Sequence, residues 1–346
     1  MKALVYHGPN SKSWEEKPKP TIKAPTDVIV KILHTTICGT DLHILKGDVP
    51  TVTEGRILGH EGVGMIESIG NAVTNFKVKD HVLISCITSC GKCESCRKQM
   101  YSHCDTGGWI LGNTIDGTQA EYVRIPYADT SLYPIPAGAD EQALVMLSDI
   151  LPTGFECGVL NGTVKPGDVI AVVGAGPIGM AVLLTAQMYS PSEIIMIDRD
   201  VNRLSMAKTF GATHIINAAE GSVKEKILSI TNNKGVDVAI EAVGTAATFE
   251  MCQEIISAGG HIANIGVHGS PATLHLETLW SKNITITTRL VDTSSTPMLF
   301  KNVQSQKIDA KKLITHHFKL NEMLKAYDTF GNAASEHALK VILTSE

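Results

Sequence analysis

At 346 residues and 43% hydrophobic composition, the chain is long enough for two domains with their own cores and too apolar to stay disordered. Its net charge of -5 excludes the basic footprint that nucleic acid requires and leaves a small molecule as the natural partner. Neither a secretory leader nor a run of about twenty apolar residues is visible, so no membrane span and a cytoplasmic location are expected, with the eight cysteines kept reduced and available for metal.

Residues 1 to about 150 read as short strands punctuated by Pro and Gly: MKALVYHG, DVIVKILHTTI, GVGMIESIG, DHVLISCI and QAEYVRIP. The scarcity of helical periodicity there predicts an all-β, barrel-like body. Within it, the stretch from Cys38 to Glu61 concentrates metal ligands and proton carriers. Cys38 offers a thiolate and His60 an imidazole, ligand types that Zn²⁺ prefers, and Glu61 adds an oxygen donor. Thr40, two residues after the thiolate, is placed to touch a substrate oxygen on such a metal, and His43 to pass its proton to solvent. Taken alone the pair is weak evidence, because a lone Cys or His is more often buried or hydrogen-bonded filler.

The next cluster carries a stronger signal. Cys90, Cys93, Cys96 and Cys104 are spaced C-x2-C-x2-C-x7-C. Close spacing lets four thiolates wrap one tetrahedral ion and occupy every position, which predicts a structural zinc in a lobe of about residues 88–106. A ferredoxin-like iron–sulfur cluster is the competing reading, although the usual Cys-Pro ending and second cysteine run are missing. His103 competes with Cys104 for the fourth position.

From Lys165 the pattern changes to KPGDVIAVVGAGPIGMAVLLTAQMY, a turn, a β-branched strand, a glycine-rich turn and an apolar helix. Gly174, Gly176 and Gly179 form G-x-G-x-x-G in the strand-to-helix context where glycines permit a tight turn, approach of a pyrophosphate and close helix packing. Asp198 ends the next strand nineteen residues after Gly179, where a carboxylate binds ribose hydroxyls and favours NAD over NADP. The cofactor set is therefore Gly174, Gly176, Pro177, Ile178, Gly179 and Asp198, with Arg199 and Arg203 beside the acid; Arg199 could instead be recruited to a 2′-phosphate. Strands HIIN, VDVAIEAVG, GGHIANIGV and NITITT alternate with helices following Asp200, Ser222, Ala246 and Leu274, giving a parallel sheet of about six strands. After about residue 292, one helix or two and a last strand return the chain to the first domain.

Together these features resemble the zinc-dependent medium-chain alcohol dehydrogenases over essentially the whole chain: C-G-T/S-D-x-H at Cys38 to His43, G-H-E at Gly59 to Glu61, the four-cysteine lobe and the glycine loop. The resemblance implies an α/β plus β fold, with a GroES-like β-barrel catalytic domain over 1–149 and 293–346 and a Rossmann doubly wound parallel sheet over 150–292. It also implies two zinc ions per chain, the catalytic one held by Cys38, His60 and a third protein ligand, and a proton relay through Thr40 and His43.

In much of that family the third ligand is a cysteine in the helix joining the domains, but the matching segment MLSDILPTGFECG places Asp149 there, as in bacterial secondary-alcohol dehydrogenases and some formaldehyde dehydrogenases. An oxygen ligand suits tetrahedral zinc. Cys157 is the rival. Glu61 is expected either to bind zinc transiently or to orient the site from behind. Ile87, Trp109 and Leu290 match pocket positions, with plain core packing as the alternative for Trp109; Arg289, beside Leu290, has no assigned role.

The implied activity is hydride transfer between NAD and a small primary or secondary alcohol, giving aldehyde or ketone, in a homo-oligomer that the resemblance makes a tetramer. Polyol, threonine or formaldehyde oxidation within the family and a silent, zinc-stabilised dinucleotide-binding protein are the alternatives. A zinc-free quinone reductase of the same plan would carry neither ligand cluster.

Overall fold

The computed structural model describes residues 1–345, which form two compact units: residues 1–149 with those from Asp292 onward, and residues 150–291. In chain order the strands are β1 (Lys2–Tyr6), β2 (Lys12–Glu16), β3 (Val28–Thr36), β4 (Gly62–Ile69), β5 (His81–Ile84), β6 (Tyr122–Ile125), β7 (Leu132–Pro134) and β8 (Val169–Val173). There follow β9 (Glu193–Asp198), β10 (His214–Asn217), β11 (Val236–Glu241), β12 (Ile256–Asn264), β13 (Thr285–Thr288), β14 (Ile314–Lys319) and β15 (Lys340–Thr344). Among the described residues no helix is long and apolar enough to cross a membrane.

In the first unit β1 and β2 make an antiparallel hairpin, and a seven-stranded sheet runs β14-β15-β3-β4-β5-β7 with β6 added to β3. β3 is β-branched and apolar at alternate positions, so Val28, Val30 and Ile32 share one face. They pack with Ile66, Val82, Ile84, Leu111, Val123 and Ile125. A second core gathers Leu4, Ile37, Ile44, Leu58, Tyr327, Val341 and Leu343. Each large apolar side chain so buried contributes roughly 1.5–3 kcal/mol. β3 lies antiparallel to β4, with register running from Val28 opposite Ile69 to Thr35 opposite Gly62. That pairing has a consequence for the site: the segment leaving β3 and the segment entering β4 emerge side by side, bringing Cys38 next to His60.

The second unit is built on an all-parallel sheet in the order β10-β9-β8-β11-β12-β13. The order in which strands are added reverses at β8, which has β9 on one side and β11 on the other, so the loop leaving β8 opens at the switch point where such sheets bind ligands. Helix starts follow from side-chain caps: Asp200 accepts from Asn202 N at 2.8 Å and Arg203 N at 3.3 Å, Ser222 from Glu225 N at 3.2 Å, and Thr245 from Thr248 N at 3.3 Å. The later part of the expected joining helix is a π-helix over Gly154–Leu160, a form the sequence reading did not anticipate. Its glycines let the backbone lie close to the helix Pro177–Ala186: a Cβ on Gly154 would sit 2.8 Å from Ala181 Cβ, and one on Gly158 2.8 Å from Val182 Cγ2.

Candidate active site

Cys38 turns the chain from β3 into the helix Gly39–Lys46. Its N–H donates to Asp41 Oδ2 at 2.8 Å, and Asp41 N donates back to Cys38 O at 3.1 Å, a reciprocal closure of the helix start. Asp149 arrives from the other end of the unit. It sits in a turn between the short helices Glu141–Val145 and Ile150–Thr153, which corrects the expectation of a helical position. The reason lies in Ser148, whose hydroxyl bonds Gly62 N at 3.1 Å and whose carbonyl accepts from Cys86 N at 3.0 Å, so this backbone serves β4 and its neighbour rather than a helical ladder.

The three side chains converge. Asp149 Oδ2 lies 3.2 Å from His60 Nε2 and 3.6 Å from Cys38 Sγ, and one ligand atom from each residue falls within 4.8 Å of the others. All three are buried. Burial pushes the Cys38 thiol up. Burial also opposes charge on His60, yet hydrogen bonds to Asp149 and Cys38, reinforced by their charges, raise its pKa well above the usual value. A thiol, a carboxylate and an imidazole are thus crowded together in a dry place. A divalent cation at their focus satisfies all three at once, so the donor set fits zinc. Cys157 lies in the π-helix of the second unit and has no place in this group.

Thr40 Oγ1 is 3.6 Å from Cys38 Sγ, while His43 is partly exposed and its Nδ1 is 2.9 Å from Asp48 Oδ2. The Trp109 ring meets His60 edge-on, with centroids 6.1 Å apart. Ile87 is buried in the first unit, whereas Arg289 and Leu290 are exposed in the second.

Lys340 was missed by the sequence reading. Its ammonium is buried against Glu61 Oε2 at 2.6 Å, both side chains being 1% exposed, and it also donates to Ile37 O at 3.0 Å. Glu61 is thereby held beside His60 by a partner from the last strand. The available signal was a lone charge in the apolar run HALKVIL, since a lysine is almost never fully buried unless paired.

In the lobe, the four sulfurs of Cys90, Cys93, Cys96 and Cys104 all lie within 4.8 Å of one another, and the backbone N–H of Cys90 points at Cys104 Sγ at 3.2 Å. Burial opposes ionisation of Cys90, but backbone hydrogen bonds from Lys92 and Cys93 outweigh it and draw the thiol down to about 6. Burial and the Cys93 sulfur push Cys96 up to about 12. Such divergence is what four crowded thiols do without a countercharge, and a divalent cation lets all of them ionise. His103 is exposed and bonds Ser102 Oγ instead.

At the end of β8, Gly174 has φ of +105° and a Cβ there would lie 2.7 Å from Val243 Cγ2; one on Gly179 would lie 1.8 Å from Gly174 O. Only glycine fits either place. Above Gly176, in contrast, a Cβ meets nothing nearer than Arg203 Nη1 at 3.8 Å, which leaves an open cradle at the start of the helix Pro177–Ala186 for an anionic group. Asp198 Oδ2 accepts from Ala175 N at 2.6 Å, and its Oδ1 from Arg199 N at 2.7 Å and Asp200 N at 2.9 Å. The carboxylate therefore ties the glycine loop to the end of β9 and keeps lone-pair sites for a hydroxyl. Arg199 itself is exposed.

The profile of a family described as "Alcohol dehydrogenase GroES-like domain" matches residues 24–137, and that of "Zinc-binding dehydrogenase" matches residues 177–305. An alcohol dehydrogenase of Cupriavidus necator is 36% identical over 354 aligned residues, covering 96% of this chain and 95% of its own. Among solved structures, the apo form of zinc dependent alcohol dehydrogenase 2 from Streptococcus pneumonia is 53% identical with a TM-score of 0.96, over 100% of this chain and 99% of that one. Alcohol dehydrogenase TADH from Thermus sp. ATN1 is 31% identical with a TM-score of 0.93, over 100% of both chains. With a GroES-like domain joined to a Rossmann-type parallel sheet, the chain belongs to the zinc-dependent medium-chain alcohol dehydrogenase family.

Proposed function

We propose that this protein is an NAD-dependent dehydrogenase of small primary or secondary alcohols, yielding aldehyde or ketone. The observation that carries the reading is the buried convergence of Cys38, His60 and Asp149 in a chain that also holds a closed four-cysteine set and a dinucleotide loop. The metal-bearing segment 1–149, with residues 293–346, is the catalytic domain in this reading, and 150–292 binds the cofactor.

Cys38, His60 and Asp149 would hold one zinc, and Cys90, Cys93, Cys96 and Cys104 a second. Bound there, zinc would supply Lewis acidity toward the alcohol oxygen, and NAD would serve as the hydride acceptor. The residues do the rest. Thr40 orients the alcohol hydroxyl and, as it receives that proton, releases its own hydroxyl proton toward His43, which, in contact with Asp48 and partly exposed, passes a proton to solvent. Trp109, edge-on to His60, limits substrate bulk. Gly176 leaves room for the pyrophosphate, Arg203 stands beside it, and the Asp198 carboxylate accepts the ribose hydroxyls. Two thiolate-bearing sets are best maintained in a reducing compartment, which supports a cytoplasmic location.

A panel of alcohols with NAD⁺ and NADP⁺, run on metal-analysed protein before and after chelation, tests this function. Oxidation of short alcohols with NAD⁺ that is lost on chelation is expected; chelation-insensitive turnover would exclude it. Within that assay, Asp198→Asn removes the charge that repels a 2′-phosphate and keeps one of the two oxygens that accept backbone N–H bonds. Its ratio of kcat/KM for NAD⁺ over NADP⁺ is expected to fall by about tenfold, near the lower range for a hydrogen bond to a charged group. An unchanged ratio would remove Asp198 from the discrimination.

We also propose a homo-oligomer, the tetramer of the resemblance. Trp280 is 78% exposed and Leu276 60%, close in sequence to β13, which forms an edge of the parallel sheet. An exposed aromatic near an open strand edge supports burial against another copy. Trp280→Lys is expected to shift sedimentation toward smaller species at the same concentration, and a wild-type protein that sediments as a monomer would contradict the assembly.

A further inference from the structure

Behind the metal ligands runs a buried polar chain with no part in the chemistry above. Asp41 is 1% exposed, and its Oδ2 accepts both from Cys38 N at 2.8 Å and from Gln119 Nε2 at 3.0 Å. Gln119 is 0% exposed, and its Oε1 accepts from the Tyr327 hydroxyl at 2.7 Å. Tyr327, 2% exposed, is carried by the helix Met323–Gly331. The second Asp41 oxygen is buried without a partner. A carboxylate, an amide and a phenol in a dry core cost stability unless their bonds are made. Burial accordingly raises the pKa of Asp41, and that of Tyr327 well above its ordinary value.

Gln119 also reaches the other ligand segment. Its N–H donates to Leu58 O at 3.0 Å, and Thr118 N donates to Gly59 O at 2.9 Å. Gly59, with φ of +92°, passes so close that a Cβ would sit 2.6 Å from Gln119 Cγ. One side chain therefore lies against the residue before His60 while its amide grips the carboxylate that caps Cys38. The amide can face only one way. Its Nε2 meets two acceptors, Asp41 Oδ2 and Thr36 O at 3.2 Å, and the Tyr327 hydroxyl supplies the donor that holds Oε1.

We propose that Gln119 and Tyr327 are positioning residues that set the spacing of Cys38 and His60: Tyr327 orients the Gln119 amide, which holds Asp41 at the Cys38 N–H and supports Gly59 ahead of His60. The inference rests on the reading of Cys38, His60 and Asp149 as zinc ligands. It is tested by zinc release from the full-length protein to a chelator, with a colorimetric indicator, for wild type, Tyr327→Phe and Gln119→Leu. Asp149→Ala serves as the reference that identifies the four-cysteine ion. Tyr327→Phe keeps the ring and its packing and removes one hydroxyl, so it remains informative if Gln119→Leu does not fold.

The expected result is that one zinc leaves about tenfold faster in either variant, the low end for residues supporting metal ligands, while the four-cysteine ion leaves at its wild-type rate. A general loosening would not make that distinction. Equal acceleration of both ions, or wild-type rates for both, overturns the proposal. A wild-type protein that holds zinc only at the four cysteines overturns the ligand reading beneath it, and that result is distinct because it is seen before any substitution.

Discussion

Asp149→Ala is expected to reduce zinc content from about two to about one per chain and to abolish alcohol oxidation, because three protein ligands hold a catalytic zinc and two do not. The charge stabilisation a metal supplies is several kcal/mol, which sets the expected loss of kcat at about a thousandfold or more. Dinucleotide binding should survive, since the glycine loop and Asp198 belong to the other compact unit. The four-cysteine ion should also remain, as its ligands come from a separate segment. Metal analysis with cofactor titration measures all three quantities on one preparation. Cys157→Ala is expected to change none of them, and if the cysteine substitution strips zinc while Asp149→Ala stays active, the ligand assignment fails.

Lys340→Met should destabilise the first unit strongly. It leaves Glu61, 1% exposed and 2.6 Å from the lost ammonium, as an uncompensated buried carboxylate, at a cost of about 3–5 kcal/mol. The Ile37 carbonyl loses its donor in the same step. Adding Glu61→Gln to Lys340→Met should recover much of that loss, because an amide has no charge to strand in the interior. Thermal denaturation of both variants and wild type provides the comparison. A single substitution costing less than about 1 kcal/mol would show that water or a rearranged partner reaches Glu61.

Most strand positions, the glycine loop and the helix starts were legible along the chain because each depends on neighbouring residues: alternating β-branched side chains in β3, a turn only glycine can make after β8, and capping by Asp200 and Ser222; β2, β7 and β14, short or polar, were not read. Family membership followed from motifs equally local. Cysteine spacing in the lobe is local too, as three thiols at every third residue and a fourth eight positions on are held together by one short segment.

Long-range pairing decided what remained. Cys38 meets His60 because β3 and β4 run antiparallel with Thr35 opposite Gly62, and Asp149 joins them through the bonds of Ser148 to Gly62 and Cys86. Sequence pattern named the ligand types, but only that register and those bonds bring the three side chains into reach of one another. The same holds for Lys340 beneath Glu61 and for the line from Tyr327 through Gln119 to Asp41. A hydrogen bond between residues hundreds of positions apart leaves no periodicity in sequence, because its geometry exists only once the core has closed around it.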